Sequence, residues 1–265
     1  MNIFWREIKA GRKSLLIWSV GIILFMMSGM VKYESYTASP QSINEMIAKM
    51  PTVLKTILGL GTFDLTMVTG YYGMLFFYLV LMAAIYAVML GANIISKEEQ
   101  DKTAEFLFLK PISRNQVITY KLSACLVNIA IFTLVTFLSS ILMVEHYSKG
   151  EDIFSPIIKL ISGMFIIQLI FLSIGSAMAA VGRHPQKASS LGTGILLLTF
   201  FLSIIIDLNS RIENLKYLTP FKYFEAKDVL YGPGFQPVFL ILSFGIIVLL
   251  LGTTYVFYQK RDLYL

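Results

Sequence analysis

The chain has 265 residues, 56% of them hydrophobic and only 14% charged, with a mean hydropathy of +0.72. Soluble domains carry about 25% charged residues and cannot hide this much apolar surface, so a water-soluble enzyme is excluded, as are a disordered chain and a disulfide scaffold. Cys125 is the single cysteine, and the net charge of +6 must be weighed against membrane topology before nucleic acid is considered.

A bilayer core about 30 Å thick needs about 20 apolar helical residues. Six stretches qualify, at residues 15–31, 71–95, 122–144, 157–181, 188–206 and 238–258. The fold class expected is therefore an all-α polytopic membrane protein with one transmembrane domain over residues 1–265. The longest connection, residues 32–70, is too short for a soluble domain of ordinary size.

Ahead of the first span, Phe4 and Ile8 share one helical face, Asn2, Arg6, Lys9 and Lys13 share the other, and Trp5 sits between them. The pattern reads as an N-terminal interfacial helix in the headgroup plane or as a plain positive flank. The run at 15–31 exceeds the apolar core of a signal peptide and no A-x-A site follows it, so an uncleaved anchor is expected. In the first long loop, Ser42 and Glu45 form an S-x-x-E capping box, and Ile43, Met46, Ile47, Met50 and Leu54 follow at helical spacing. Pro51 is expected to kink or end that helix.

With six spans both termini share one side. Most basic residues, among them Arg6, Lys9, Arg12, Lys13, Lys97, Lys102, Lys110, Arg114 and Lys121, fall there, whereas acids prevail on the other side. By the positive-inside rule that side is the cytoplasm of a cell-membrane protein, and anionic lipid accounts for the positive charge with no role for nucleic acid.

Charged residues are missing from the span centres, which argues against coupling to a proton gradient. The deep polar residues Asn93, Asn128, Gln168, Ser139, Ser140, Ser173 and Ser176 read as hydrogen-bonding glue between helices. Gly163, Gly175 and Ala179, along one side of the fourth span, permit close helix approach. Tyr217, Phe221, Tyr223, Phe224 and Tyr231, in the last outer loop, read as an interfacial belt. His146 and His184 fall on opposite sides, so no metal site is expected, and no catalytic residue is assigned. There is no phosphate-binding loop, so any ATP must be bound by another chain.

The informative segment lies between the second and third spans. Residues 98–114 read EEQDKTAEFLFLKPISR. A short amphipathic helix with an apolar stripe at Ala104, Leu107 and Phe108 ends at Pro111, and Ser113 with Gln116 forms an S-x-x-Q capping box that opens the next helix. Such an element suits either a lever pushed by a soluble motor or an ordinary loop on lipid headgroups.

This segment resembles the coupling segment of permeases in the type-2 ATP-binding-cassette (ABC) exporter family, E-x-x-x-G-T-x-E-x-L-L-x-x-P-x-[ST]-R. The runs LTPFKYF at 218–224 and FYQKRDL at 257–263 are also similar to that family. Lys102 departs from the family's glycine. The resemblance implies a half-transporter without ATPase motifs. It would pair with a second permease copy or paralogue and with an ABC ATPase subunit that binds ATP and magnesium. Its cytoplasmic coupling helix would use Glu98, Thr103, Glu105, Leu107, Phe108, Pro111, Ser113 and Arg114. Relatives of this kind imply export of antimicrobial or toxic peptides, drugs or lipid-linked glycans. A non-transporting sensor partnered with an ATPase and a secondary transporter are the rival readings.

Overall fold

The computed structural model describes residues 3–34, 45, 47–60, 63–101, 112–148, 150–182, 184 and 187–260. Hydrocarbon offers no hydrogen-bond partner to a bare backbone, so apolar runs of this length form helices whose peptide groups satisfy one another. The helices are α1 (Ile3–Val31), α2 (Thr52–Ile57), α3 (Val68–Gln100), α4 (Arg114–Tyr147), α5 (Phe154–Val181), α6 (Ala188–Leu208), α7 (Ala226–Tyr231) and α8 (Pro237–Lys260). The described residues contain no strand, and the six long helices each enclose one stretch expected from the sequence.

Helices α3 and α5 form the centre of the bundle and pack chiefly on each other, with α1 against α4 and α8 against α5 and α4 around them. The α3–α5 crossing is a backbone contact. A Cβ placed on Gly91 would lie 2.3 Å from the Leu172 carbonyl oxygen, and one on Gly175 would lie 2.2 Å from that of Val88. Glycine is required at both positions because no larger residue lets the two backbones meet. The small residues seen in the fourth span therefore pack within the chain.

The segment read as interfacial is the first part of α1, continuous with the first span. Ile3 packs on Val117 and Ile112 at the start of α4, and Phe4 and Ile8 touch the main core, while Trp5 remains 58% exposed. In the first long loop, Ser42, Ile43 and Met46 lie outside the described residues. Met50 is a bend and Pro51 becomes the N-cap of α2, so the proline starts a new helix there.

Hydrogen bonds between spans involve fewer of the deep polar residues than the sequence suggested. Tyr72 Oη donates to Ser140 Oγ at 3.0 Å, Thr133 Oγ1 to Gln168 Oε1 at 2.7 Å, and Ser176 Oγ pairs with Thr254 Oγ1 at 3.2 Å. Asn128, Ser139 and Ser173 instead bond carbonyls of their own helices. Hydroxyls and short amides in a helix have a carbonyl within reach one turn back, and this local partner competes with any cross-helix one.

The connection between α6 and α8 folds back into the bundle. It passes through 3-10 turns at Ser210–Leu218 and Pro220–Lys222 before α7. Phe221 packs between Phe171 and Phe200 at 5.2 and 5.3 Å, Phe224 meets Phe235 at 5.4 Å, and Tyr223 stacks on Phe239 at 5.0 Å. These three are buried, so only Tyr217 and Tyr231 keep the exposure expected of a belt. Gly163 makes room for this fold-back, since a Cβ there would lie 2.8 Å from that of Phe224.

Candidate functional site

At 1.5 Å per residue α3 and α4 are each about 50 Å long, well beyond the hydrocarbon thickness. Their surplus includes residues 96–100 and 114–121, which are the stems on either side of residues 102–111. Of the residues expected to act in the coupling segment, Thr103, Glu105, Leu107, Phe108 and Pro111, together with Lys102, lie outside the described residues. Glu98, Ser113 and Arg114 are described, and each holds a stem in place.

Ser113 opens α4 with the expected capping box. Its Oγ accepts from the Gln116 backbone N–H at 3.3 Å, and Gln116 Oε1 accepts from the Ser113 N–H at 3.2 Å. Two otherwise orphaned amides of the first turn are thereby satisfied. Arg114 Nη1 donates to the Gln259 carbonyl oxygen at 2.9 Å. Gln259 Nε2 donates to Asn115 Oδ1, and the Thr119 and Tyr255 hydroxyls lie 2.8 Å apart. The end of α8 is thus fastened along the first two turns of α4.

Glu98 is the hub of an ionic cluster in which Glu7, Glu98 and Lys121 are buried. Its Oε1 accepts from Arg6 Nη2 at 2.9 Å, and its Oε2 accepts from Lys121 Nζ. Lys121 is fully buried and also donates to the Ile94 carbonyl oxygen at 2.6 Å. Arg6 donates to Glu7 Oε1 at 2.6 Å, and Lys97 to Glu7 Oε2 at 3.3 Å. Buried charges survive only when partnered, and losing one strands the other. The cluster therefore locks the start of α1 and both stems in one register.

In the sequence, Lys97 and Lys121 read only as cytoplasmic charges and Arg6 as part of the polar face ahead of the first span. A signal was present for Lys121, which stands in the buried stripe Val117, Ile118, Ala124, Cys125 and Asn128, and for Glu98, which extends the stripe Gly91, Ala92, Ile94 and Ile95. The pairing itself has no such signal, because Arg6 and Glu98 are 92 positions apart.

At the opposite end of the bundle a cavity of about 270 Å³ lies among α3, α6, α7 and the folded-back connection. Phe63, Phe76, Phe77, Phe221 and Phe224 line it, and Asp207, Glu225 and Lys227 form its polar pole. Behind that pole Lys222 is buried, donating to Asp207 Oδ1 at 2.5 Å and to Glu225 Oε1. Burial holds the Glu225 carboxyl above its ordinary range, although Lys222 and Lys227 oppose the shift.

The chain matches the family described as ABC-2 family transporter protein over residues 1–263. No curated protein matches it. Six bilayer-length helices, extended stems flanking one connection and a match along nearly the whole chain lead to one conclusion. The chain belongs to the ABC-2 transporter family, as a membrane permease of an ATP-binding-cassette transporter that works with an ABC ATPase subunit.

Proposed function

We propose that this chain is the permease half of an exporter in the cell membrane, with both termini in the cytoplasm and residues 102–111 gripped by the ATPase. In this reading the partner binds ATP and magnesium, and a second permease copy or paralogue completes the pathway. Thr103, Glu105, Leu107, Phe108 and Pro111 meet the partner, and Glu98, Ser113 and Arg114 hold the stems. The observation that carries the reading is the Arg6–Glu98–Lys121 bridge, buried at Glu98 and Lys121. It joins the two helices on either side of the gripped segment, so a push there is passed to α1, α3 and α4 together.

The proposed cargo is amphipathic, with membrane-active peptides as the class. The far-end cavity supports this with an aromatic wall and a charged pole in one space. Charge reversal tests the coupling. Glu105→Lys or Arg114→Glu, in permease reconstituted with its ATPase, is expected to abolish cargo-stimulated ATP hydrolysis, and hydrolysis unaltered in both variants would overturn the coupling role. Killing assays with and without the gene test the cargo, since unchanged sensitivity across a broad peptide panel would dismiss it.

A further inference from the structure

The far-end cavity has two kinds of wall. Phe63, Phe76 and Phe77 face it from one side and Phe221 and Phe224 from another, and the charges gather at Asp207, Glu225 and Lys227. Rings present negative faces, and a carboxylate at the edge of such a wall attracts an ammonium group attached to an apolar body.

The two lysines at this pole occupy different places. Lys222 is buried, takes Glu225 Oε1 and Asp207 Oδ1, and does not line the cavity. Lys227 does line it. Its ammonium lies 3.1 Å from Glu225 Oε2 and 3.6 Å from Asp207 Oδ1, and its side chain is 39% exposed. Lys222 is thus a fixed counter-ion behind the carboxylates, while Lys227 reaches the same carboxylates from the cavity side on a flexible four-carbon stem. A pair whose lysine reaches solvent on a flexible stem is weaker than a fully buried one and exchanges more readily.

We propose that the cavity is a binding site for amphipathic amines, in which the ligand's ammonium takes the place of Lys227 on Glu225 and Asp207 while its apolar body lies against the phenylalanines. Lys227 is then a tethered stand-in for the ligand and an internal competitor. The occupant is a small ammonium-bearing amphipath. Charge complementarity selects it: Lys222 holds Glu225 Oε1 and Asp207 Oδ1 from behind, while Glu225 Oε2, beside that same Asp207 oxygen, meets the cation on the cavity side. The proposal rests on the exporter reading only in naming a substrate class, and binding can be measured without the ATPase.

The full chain in nanodiscs of zwitterionic lipid, titrated at neutral pH with dansylcadaverine, a primary amine on an aromatic body, provides the test. Its N-acetylated form, which has the same body without the charge, is the control. Fluorescence should show the amine binding about fivefold more tightly than the acetylated form, the size of one solvent-screened charge pair. Lys227→Gln should tighten amine binding by a similar factor and leave the acetylated form unchanged. Glu225→Gln should erase the difference between the two probes. If Glu225→Gln fails to fold, the wild type and Lys227→Gln still decide the matter. Equal binding of both probes to the wild type, or weaker amine binding in Lys227→Gln, would overturn the site. Neither result bears on ATPase coupling, which the charge reversals at Glu105 and Arg114 test separately.

Discussion

Lys121, without solvent exposure, donates a hydrogen bond to Glu98, itself only 5% exposed, across the gap between α4 and α3. Lys121→Met should therefore destabilise the protein by about 3 kcal/mol, because it removes one of the two cations that compensate a buried carboxylate. Adding Glu98→Gln to Lys121→Met should recover a large part of that loss. Chemical unfolding of the four proteins in the cycle measures the coupling, and additive single effects would show that the pair does not act as a unit.

The Gly91 and Gly175 backbone contact makes a packing prediction. Gly175→Val places branched carbon where the Val88 carbonyl oxygen lies 2.2 Å from even a first Cβ. Separating the central helices should cost about 1–3 kcal/mol or more. Gly194, which has nothing within 4 Å of such a Cβ, is the control and should accept alanine with no loss in the unfolding midpoint.

Ser113 and Arg114 are neighbours whose substitutions should have different effects. Ser113→Ala removes one half of the capping box and should cost about 1 kcal/mol, with faster hydrogen exchange confined to the first turn of α4. Arg114→Ala leaves the cap intact and releases α4 from the Gln259 carbonyl oxygen. It should lower ATPase stimulation by cargo with little change in unfolding temperature.

Glu225 gives a pH dependence whose sign is fixed by its surroundings. Burial raises its carboxyl above 4.5, against the pull of Lys222 and Lys227. A raised acid holds its proton more tightly folded than unfolded. Its contribution is therefore favourable below the unfolded value and lost as pH climbs through the folded one. As pH climbs above the ordinary glutamate value of 4.5, the unfolding temperature of wild type should fall relative to that of Glu225→Gln. A relative rise would mean that the lysine pairs outweigh burial.

The six bilayer-length segments were legible because hydrocarbon forces every spanning stretch to be both apolar and helical, and composition alone reveals that. The Ser113–Gln116 cap was legible because both partners lie within one turn. Arg6, Glu7, Lys97 and Lys121 were not read as a cluster, since three different helices bring them together. The aromatics at 221–224 were misread for a related reason. Composition marks Phe221, Tyr223 and Phe224 as membrane-seeking, but their burial depends on a fold-back made possible by Gly163, far away in the chain.

Because α3 and α5 touch backbone to backbone at Gly91, that point is a natural fulcrum for α3. From it to Gln100 is about 14 Å, and from it to Gly73, in the cavity wall, about 27 Å. A stiff rod turning there magnifies its input: each ångström of sideways travel at the stem becomes about two among the phenylalanines, in the reverse direction.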